Sequence, residues 1–538
     1  MVRVVEVILK NWVAMLLLTT LLMQHIYHFV WLFFLVAMMR YSVQMFQQNS
    51  YRVERYNRWL KQSGEWHMHP NMVAVLSAVL FKVAPHWATL AVFGAWMLVI
   101  AIAEFSIKYK LPVVYTMRVK RLIATRLLLA FAIVTLVHIY AVEYTLTAMM
   151  LLTLDYWTII ANAINKPLEA AITRWYYNDA KRMLRSMPHL KIIGITGSFG
   201  KTSTKHFLYR ILSERYNVLM TPGNFNTTLG VVRTVREHLK PHHEVFIVEM
   251  GAKQRGDIKE ICDLVNPHMG VITSVGEMHL ETFGSIEGVA QTKFELIEAL
   301  PEGGVGVVNI DSEAARRYVE QNGLNVVTYG IDSEDADYRA SDVAYSEVET
   351  HFSVEHDGVK DENYATHILG RGNILNITAA LAIAEAMGVG VEARRRAVKQ
   401  IEQVEHRLSM RRQGGITVLD DAYNSNPTGA KMALEVLAGF ATDGARYVVT
   451  PGFVEMGAKQ YENNRAFGAN IAMSKADRVY VVNEVNRAAI CEGLREGGYP
   501  EDRVMCVASF GEAMADLQPR LRVGDVVLYE NDLPDSFK

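Results

Sequence analysis

The sequence predicts an α-helical transmembrane region followed by α/β domains. Three observations carry that expectation. Asn11 to Met39 is a run of 29 residues without a charged side chain, long enough as a helix to cross a bilayer with tilt. Residues 1–165 hold 14 Lys/Arg against 6 Asp/Glu, whereas the rest of the 538-residue chain holds 41 against 51. The segment 190–202, LKIIGITGSFGKT, runs from an apolar stretch into a glycine loop ending in Lys-Thr, the pattern of a buried parallel strand that opens a phosphate-binding turn.

Composition narrows the class further. The net charge of −2 argues against a protein that lives mainly on nucleic acid. Only three cysteines occur, Cys262, Cys491 and Cys506, and none forms a CxxC pair. A disulfide framework and a zinc cluster are therefore not expected, and a reducing compartment fits.

In the first part, the run 11–39 reads as an anchor, too long for a cleaved leader and without a small-residue cleavage site after it. Stretches 66–81 and 83–103, split by Lys82 with Pro85-His86 at a turn, read as a helical hairpin. A second pair is expected at 127–142 and 145–164, with Glu143 at its tip and Asp155 in its last helix. His25 and His28 share a face of the first span and read as hydrogen-bonded within the bundle or at an interface. Arg40, Arg52, Arg55, Arg58 and Lys61 follow the first span, and Lys108, Lys110, Arg118, Lys120, Arg121 and Arg126 separate the hairpins. The positive-inside rule puts both loops in the cytoplasm. About five spans satisfy this and leave everything after 165 inside, where ATP is available. Three or four spans satisfy the apolar pattern as well.

After an amphipathic stretch at 171–187, the glycine loop leads into a helical pattern from Ser203 to about Glu214. Glycines let backbone N–H groups approach phosphates, Lys201 supplies a point charge, and the Thr202 hydroxyl suits magnesium. Five residues, not four, separate Gly194 from Gly200, so the motif is TGxxGKT and not a strict Walker A sequence. The expected nucleotide turn comprises Gly197, Ser198, Phe199, Gly200, Lys201, Thr202 and Ser203. Val245–Glu249 reads as a strand ending in a carboxylate, and 270–276 as a strand followed by His279. Open α/β sheets bind their ligands at such carboxyl ends.

The chain also carries Thr221-Pro-Gly-Asn224-Phe-Asn226, Gln291-Thr-Lys293-Phe-Glu295, Gly370-Arg-Gly-Asn373-Ile-Leu-Asn376, Glu405-His-Arg407-Leu and Asp420-Asp421-Ala-Tyr-Asn424-Ser-Asn426-Pro427. In this order the motifs resemble the Mur ligase superfamily of ATP-dependent amide-bond ligases. The similarity is nearest to the branch that adds D-alanyl-D-alanine to the UDP-muramoyl tripeptide. The resemblance implies a P-loop central domain at 166–406 and a Rossmann-like carboxy-terminal domain at 407–538, behind the transmembrane domain at 1–165. It implies that Thr202 and Glu249 hold the magnesium that bridges the ATP phosphates, and that His279 holds a second magnesium near the acceptor carboxylate. Lys293 stands where the family carries a lysine carbamylated by carbon dioxide. Asn224, Asn373, Asn376, Asp421 and Asn424 fall among the nucleotide contacts, and Arg407 reaches the phosphates from the interdomain hinge. The implied catalytic set is Lys201, Glu249, His279, Lys293 and Arg407.

Departures from the family pattern shape the functional expectation. Gly372 replaces the histidine that usually precedes Asn373, and Asn464 stands where a histidine is typical. Membrane helices take the place of the domain that ordinarily holds the UDP-sugar. After Leu528 the family's basic loop gives way to Tyr-Glu-Asn-Asp-Leu-Pro, which implies a different amine partner, a cationic one included. The expected activity is membrane-embedded, ATP-dependent peptide ligation through an acyl phosphate. It would join a small amine, an amino acid or dipeptide, to a lipid-linked or membrane-presented envelope carboxylate. The expected place is a bacterial-type cytoplasmic (inner) membrane, crossed several times, with the catalytic domains in the cytoplasm and no nucleic acid partner. A polyglutamate-type synthetase, a P-loop membrane transporter and a silent scaffold are the alternatives; no LSGGQ-like signature supports the transporter.

Overall fold

Lys191–Thr196 forms a strand, β1, buried from Ile192 onward, and the first sheet of the second half is organised around it. The computed structural model describes residues 26, 28–49, 51–62, 86–107, 109, 111–140, 155–276, 280–345, 349–422, 426–454 and 456–532. Contacts divide the chain between Thr173 and Arg174 into two units.

The second unit contains two sheets. In the first, β1 is joined by β2 (Val218–Met220), β3 (Val245–Glu249), β4 (Met269–Ile272), β5 (Val305–Asn309), β6 (Val327–Gly330), β7 (Tyr338–Tyr345), β8 (Thr350–His356) and β9 (Val359–Thr366). Their order is β2-β3-β1-β4-β5-β6-β7-β8-β9. Pairing is parallel through β7, and β8 and β9 extend the sheet antiparallel. Helices 201–212 and 371–386 cover one face through Phe207, Leu208, Ile374 and Ile377, while Val231, Ile258 and Leu264 cover the other. Burial on both faces explains why these strands read as continuous apolar runs.

The second sheet runs β10 (Ser409–Gln413), β11 (Ile416–Asp421), β15 (Val526–Glu530), β12 (Arg446–Thr450), β13 (Arg478–Val482) and β14 (Val504–Val507) in space. All its pairs are parallel except β10 with β11. Apolar clusters centred on Leu434, Phe453 and Phe467 and on Tyr480 and Leu517 occupy its two faces.

The first unit contains helices His28–Gln48, Val53–Gln62, His86–Ser106 and Met117–Tyr140, and the beginning of Tyr156–Arg185. Phe34, Met97 and Ala130 share one cluster; Phe46, Tyr56, Trp59, Val119 and Leu122 share another. Among the described residues two helices, His28–Gln48 and Met117–Tyr140, are long and apolar enough to cross a membrane. Three expectations change. The first helix runs past Arg40, whose Nη1 donates to the Glu104 carbonyl at 3.2 Å and whose guanidinium lies 5.4 Å from the centre of the Phe105 ring. The basic segment 118–126, expected as a loop, is helical because its cations find partners. Arg126 Nη1 donates to Ser42 Oγ at 2.5 Å and Thr158 Oγ1 at 2.7 Å, and Arg121 forms a two-pronged pair with Glu169 at 2.6 and 2.9 Å. The amphipathic stretch after 171 continues the helix that starts at Tyr156. The expected span 66–81, His25, Lys108, Lys110 and Glu143 lie outside the described residues.

Candidate active site

The carboxyl ends of β1 and β3 adjoin, with Ile195 paired to Glu249. Between β1 and helix Lys201–Leu212 the chain turns through Gly197 at φ +150° and Gly200 at φ +81°. Both angles suit a residue without Cβ. A Cβ on Gly197 would strike Thr273 Oγ1, and one on Gly200 would come to 2.5 Å from Asn376 Oδ1. Ser198 N donates to the Ser274 carbonyl at 2.8 Å, and Phe199 N donates to Ser274 Oγ at 2.9 Å. The segment after β4 thus splints the loop.

Lys201 starts the helix and folds back, its Nζ donating to the carbonyls of Gly197 at 2.7 Å and Ser198 at 3.0 Å. Burial lowers its pKa to about 8, opposed by the Glu249 charge and assisted by Arg407. Thr202 Oγ1 donates to the two oxygens of Glu249 at 3.2 and 3.1 Å. Lys205, one turn on, donates to Glu249 Oε2 at 2.9 Å and to the Gly223 carbonyl at 2.6 Å, and Asn226 Nδ2 donates to Glu249 Oε1 at 3.1 Å. Burial pushes the Glu249 pKa up, but Lys205 and Lys201 outweigh it and hold the carboxyl below its ordinary value. An ionised carboxylate and a hydroxyl side by side form the hard-oxygen donor set that magnesium takes, so the residues fit that ion.

Lys293 lies on helix Ile286–Glu298 and is buried. Burial, reinforced by the Lys201 charge, lowers its pKa to about 7.

Across the loop, Ser203, Phe207, Leu369, Asn373, Val404 and Arg407 line a hollow. Arg407 sits between two left-handed residues, His406 at φ +58° and Leu408 at φ +48°. Asp421 Oδ1 accepts from Leu408 N at 3.0 Å, and Asp420 Oδ2 lies 2.7 Å from His406 Nδ1. Burial raises the Asp421 pKa to about 6 despite the Arg407 charge.

Two family models match: the Mur ligase middle domain over residues 195–384 and the Mur ligase, glutamate ligase domain over residues 406–529. The UDP-N-acetylmuramoyl-tripeptide–D-alanyl-D-alanine ligase of Bacillus subtilis is 31% identical over 343 residues, 63% of this chain and 72% of that protein. The chain belongs to the Mur ligase superfamily. The Escherichia coli ligase of the same name is 28% identical over 318 residues, 59% of this chain and 70% of its own. The Thermotoga maritima MurF ligase, solved in complex with ADP, superposes with a TM-score of 0.60 at 27% identity, covering 67% of this chain and 80% of that one. MurF from Acinetobacter baumannii gives 0.60 at 25%, covering 66% and 77%. The chain is therefore an ATP-dependent, ADP-forming Mur-type ligase of the MurF-like branch.

Within that frame the structure brings together Gly197 to Ser203, Glu249, Asn376 and Arg407 around one loop. Asn373 Nδ2 donates to the Leu369 carbonyl at 2.9 Å at the rim of the hollow, and Asn224 is exposed beside Gly223. His279 and Asn424 lie outside the described residues. Sequence reasoning missed Lys205 and Asn226 as partners of Glu249, and Ser274 as the splint of the loop. Asn464 is fully buried and pins Phe453, accepting from its N at 2.8 Å and donating to its carbonyl at 3.0 Å. At Gly372 a Cβ would meet Met432 Sδ at 2.5 Å, so a thioether occupies the space beside that position.

Proposed function

We propose that this Mur-type ligase works at a membrane, activating the carboxylate of a lipid-linked or membrane-presented envelope precursor and joining it to a small amine. The observation that carries the membrane reading is the apolar surface of the first unit. Phe29, Leu128 and Phe131 are 73%, 70% and 73% exposed, and Val99 and Ile139 are exposed as well. Rows of large apolar side chains facing outward suit lipid.

In the proposed reaction an oxygen of the acceptor carboxylate attacks the γ-phosphorus of ATP and ADP leaves. The amine then attacks the acyl carbon and phosphate departs. Backbone N–H groups of Gly200 to Thr202, Lys201 and Arg407 orient the phosphates and stabilise charge on the transferring group. Thr202 and Glu249 would hold magnesium, which would offset the negative charge of the nucleotide phosphates; His279 would serve a second ion. Lys293, whose pKa burial lowers to about 7 so that a substantial share of its amine is neutral near that pH, is suited to take up carbon dioxide as a carbamate. Asn224, Asn373, Asn376, Asp421 and Asn424 complete the proposed nucleotide contacts.

The test is ADP release by full-length protein in lipid vesicles, with extracted envelope lipids and amino acids or dipeptides added singly and together, and Lys201→Ala as the blank. Turnover that needs both a lipid fraction and one amine is the expected result. Equal turnover with a water-soluble UDP-muramoyl peptide in detergent alone overturns the membrane-presented acceptor. A ladder of products would mark a polyglutamate-type synthetase instead.

A further inference from the structure

The ligase chemistry uses none of the three cysteines. Cys262 is buried with its Sγ 3.8 Å from Met250 Sδ, and burial pushes its thiol up to about 12. The other two meet. Cys491 on helix Arg487–Glu496 and Cys506 on β14 bring their sulfurs to 3.6 Å, both in the reduced state. β14 closes one edge of its sheet, and Cys506 is exposed there, while Cys491 is half-buried behind it. Neither lies in the motifs of the nucleotide site.

We propose that Cys491 and Cys506 form a reversible dithiol–disulfide site whose reaction partner is a low-molecular-weight disulfide, and whose closure fastens helix Arg487–Glu496 to the edge strand. The sulfurs must approach from 3.6 Å to about 2.05 Å. Exposure sets the order of events. The Cys506 thiolate attacks one sulfur of the small disulfide; that S–S bond breaks and one small thiolate leaves. Cys491 then gives its proton to solvent and attacks the Cys506 sulfur, expelling the second small thiolate. Two protein thiols are oxidised by two electrons and one small disulfide is reduced to two thiols. Burial, then the hydrogen bond and charge of Cys506, push the Cys491 thiol up to about 11, which suits the resolving and not the attacking role.

The helix is already held tightly on its other side. A Cβ on Gly468 or Gly493 would collide with backbone atoms of the neighbouring helix, so the two helices touch main chain to main chain. At its amino end Asn486 Nδ2 donates to the carbonyls of Pro451 and Phe453, both at 2.9 Å. The crosslink would therefore fix a helix that shapes the loop after β12. This inference is independent of the ligase reading.

The experiment incubates full-length protein in detergent across a series of reduced-to-oxidised glutathione ratios, quenches with acid, alkylates free thiols and maps the peptides by mass spectrometry. Cys491 and Cys506 are expected to lose alkylation together and to appear as one linked peptide lighter by two hydrogens, with Cys262 still alkylated after denaturation. Reductant restores both. In Cys491→Ser, Cys506 should carry glutathione; in Cys506→Ser, Cys491 should stay reduced. Matching thermal melts of the reduced variants and the parent exclude misfolding as the cause. Glutathione retained on Cys506 of the parent without a link, or both thiols remaining reduced where a free dithiol is oxidised, overturns the proposal.

Discussion

Lys205 sets its ammonium 2.9 Å from Glu249 Oε2, and the two side chains are 0% and 1% exposed. Breaking a buried pair leaves an uncompensated charge, at a cost of about 3–5 kcal/mol. Lys205→Met is expected to lower the unfolding free energy by an amount of that order, measured by denaturant titration. Lys205→Arg should recover little, because a guanidinium does not fit the space between the Gly223 carbonyl and the carboxylate. The Glu249 pKa is depressed on folding. Its contribution to stability is thus present above the ordinary glutamate value and is lost as pH falls through the lower folded-state value. Glu249→Gln should remove that part of the acid unfolding profile.

Asp421 has the opposite sign. Its pKa is raised to about 6 from an ordinary 3.8, so between these values the folded chain holds a proton that the unfolded chain does not. Within that window this group makes stability rise as pH falls. Activity should move the other way, since protonation removes the charge facing Arg407. The KM for ATP is expected to climb below about pH 6 and to become pH-independent there in Asp421→Asn, as read by initial rates.

Gly200→Ala tests the loop. The substitution forces a Cβ into φ +81° and against Asn376 Oδ1, costing on the order of 1–3 kcal/mol. A tenfold or greater rise in KM for ATP is expected, and the double variant with Asn376→Ala should relieve the collision but not the backbone strain.

Lys293 supplies a fourth prediction. Because carbon dioxide adds only to the neutral amine, and the pKa is lowered to about 7, carbamate formation should increase as pH rises through 7. Carbon-13 NMR with labelled bicarbonate should show a carbamate signal in the parent protein that is missing from Lys293→Arg, together with a large loss of ADP release.

Much of this was legible in the sequence, for a physical reason. The glycine loop, Glu249 and Arg407 sit in motifs whose chemistry is local, and β1 with the helix from Lys201 follows from an apolar run meeting Gly-Lys-Thr. Lys205 was not legible. A helical lysine reads as a solvated one, and its partners Gly223 and Glu249 lie 18 and 44 residues away. The same blindness moved the helix starting at Met117. Arg121 and Arg126 count as loop residues until Glu169, Ser42 and Thr158 are seen to receive them. At Asn464 the sequence showed only that a typical histidine is replaced; that the asparagine holds the Phe453 loop depends on a partner 11 residues away.

The clamp on Arg126 also sets a timetable for synthesis. Its two hydroxyl acceptors are separated by 116 residues, and Thr158 is made 32 residues after the arginine. At about 5–20 residues per second on the ribosome, roughly 2–6 s pass between the appearance of the guanidinium and that of its second acceptor. During that interval the Ser42 helix and the Arg126 helix can associate, but the three-way seal cannot close. The first unit therefore completes its packing late, when the helix that leads toward the ligase domains has begun to emerge.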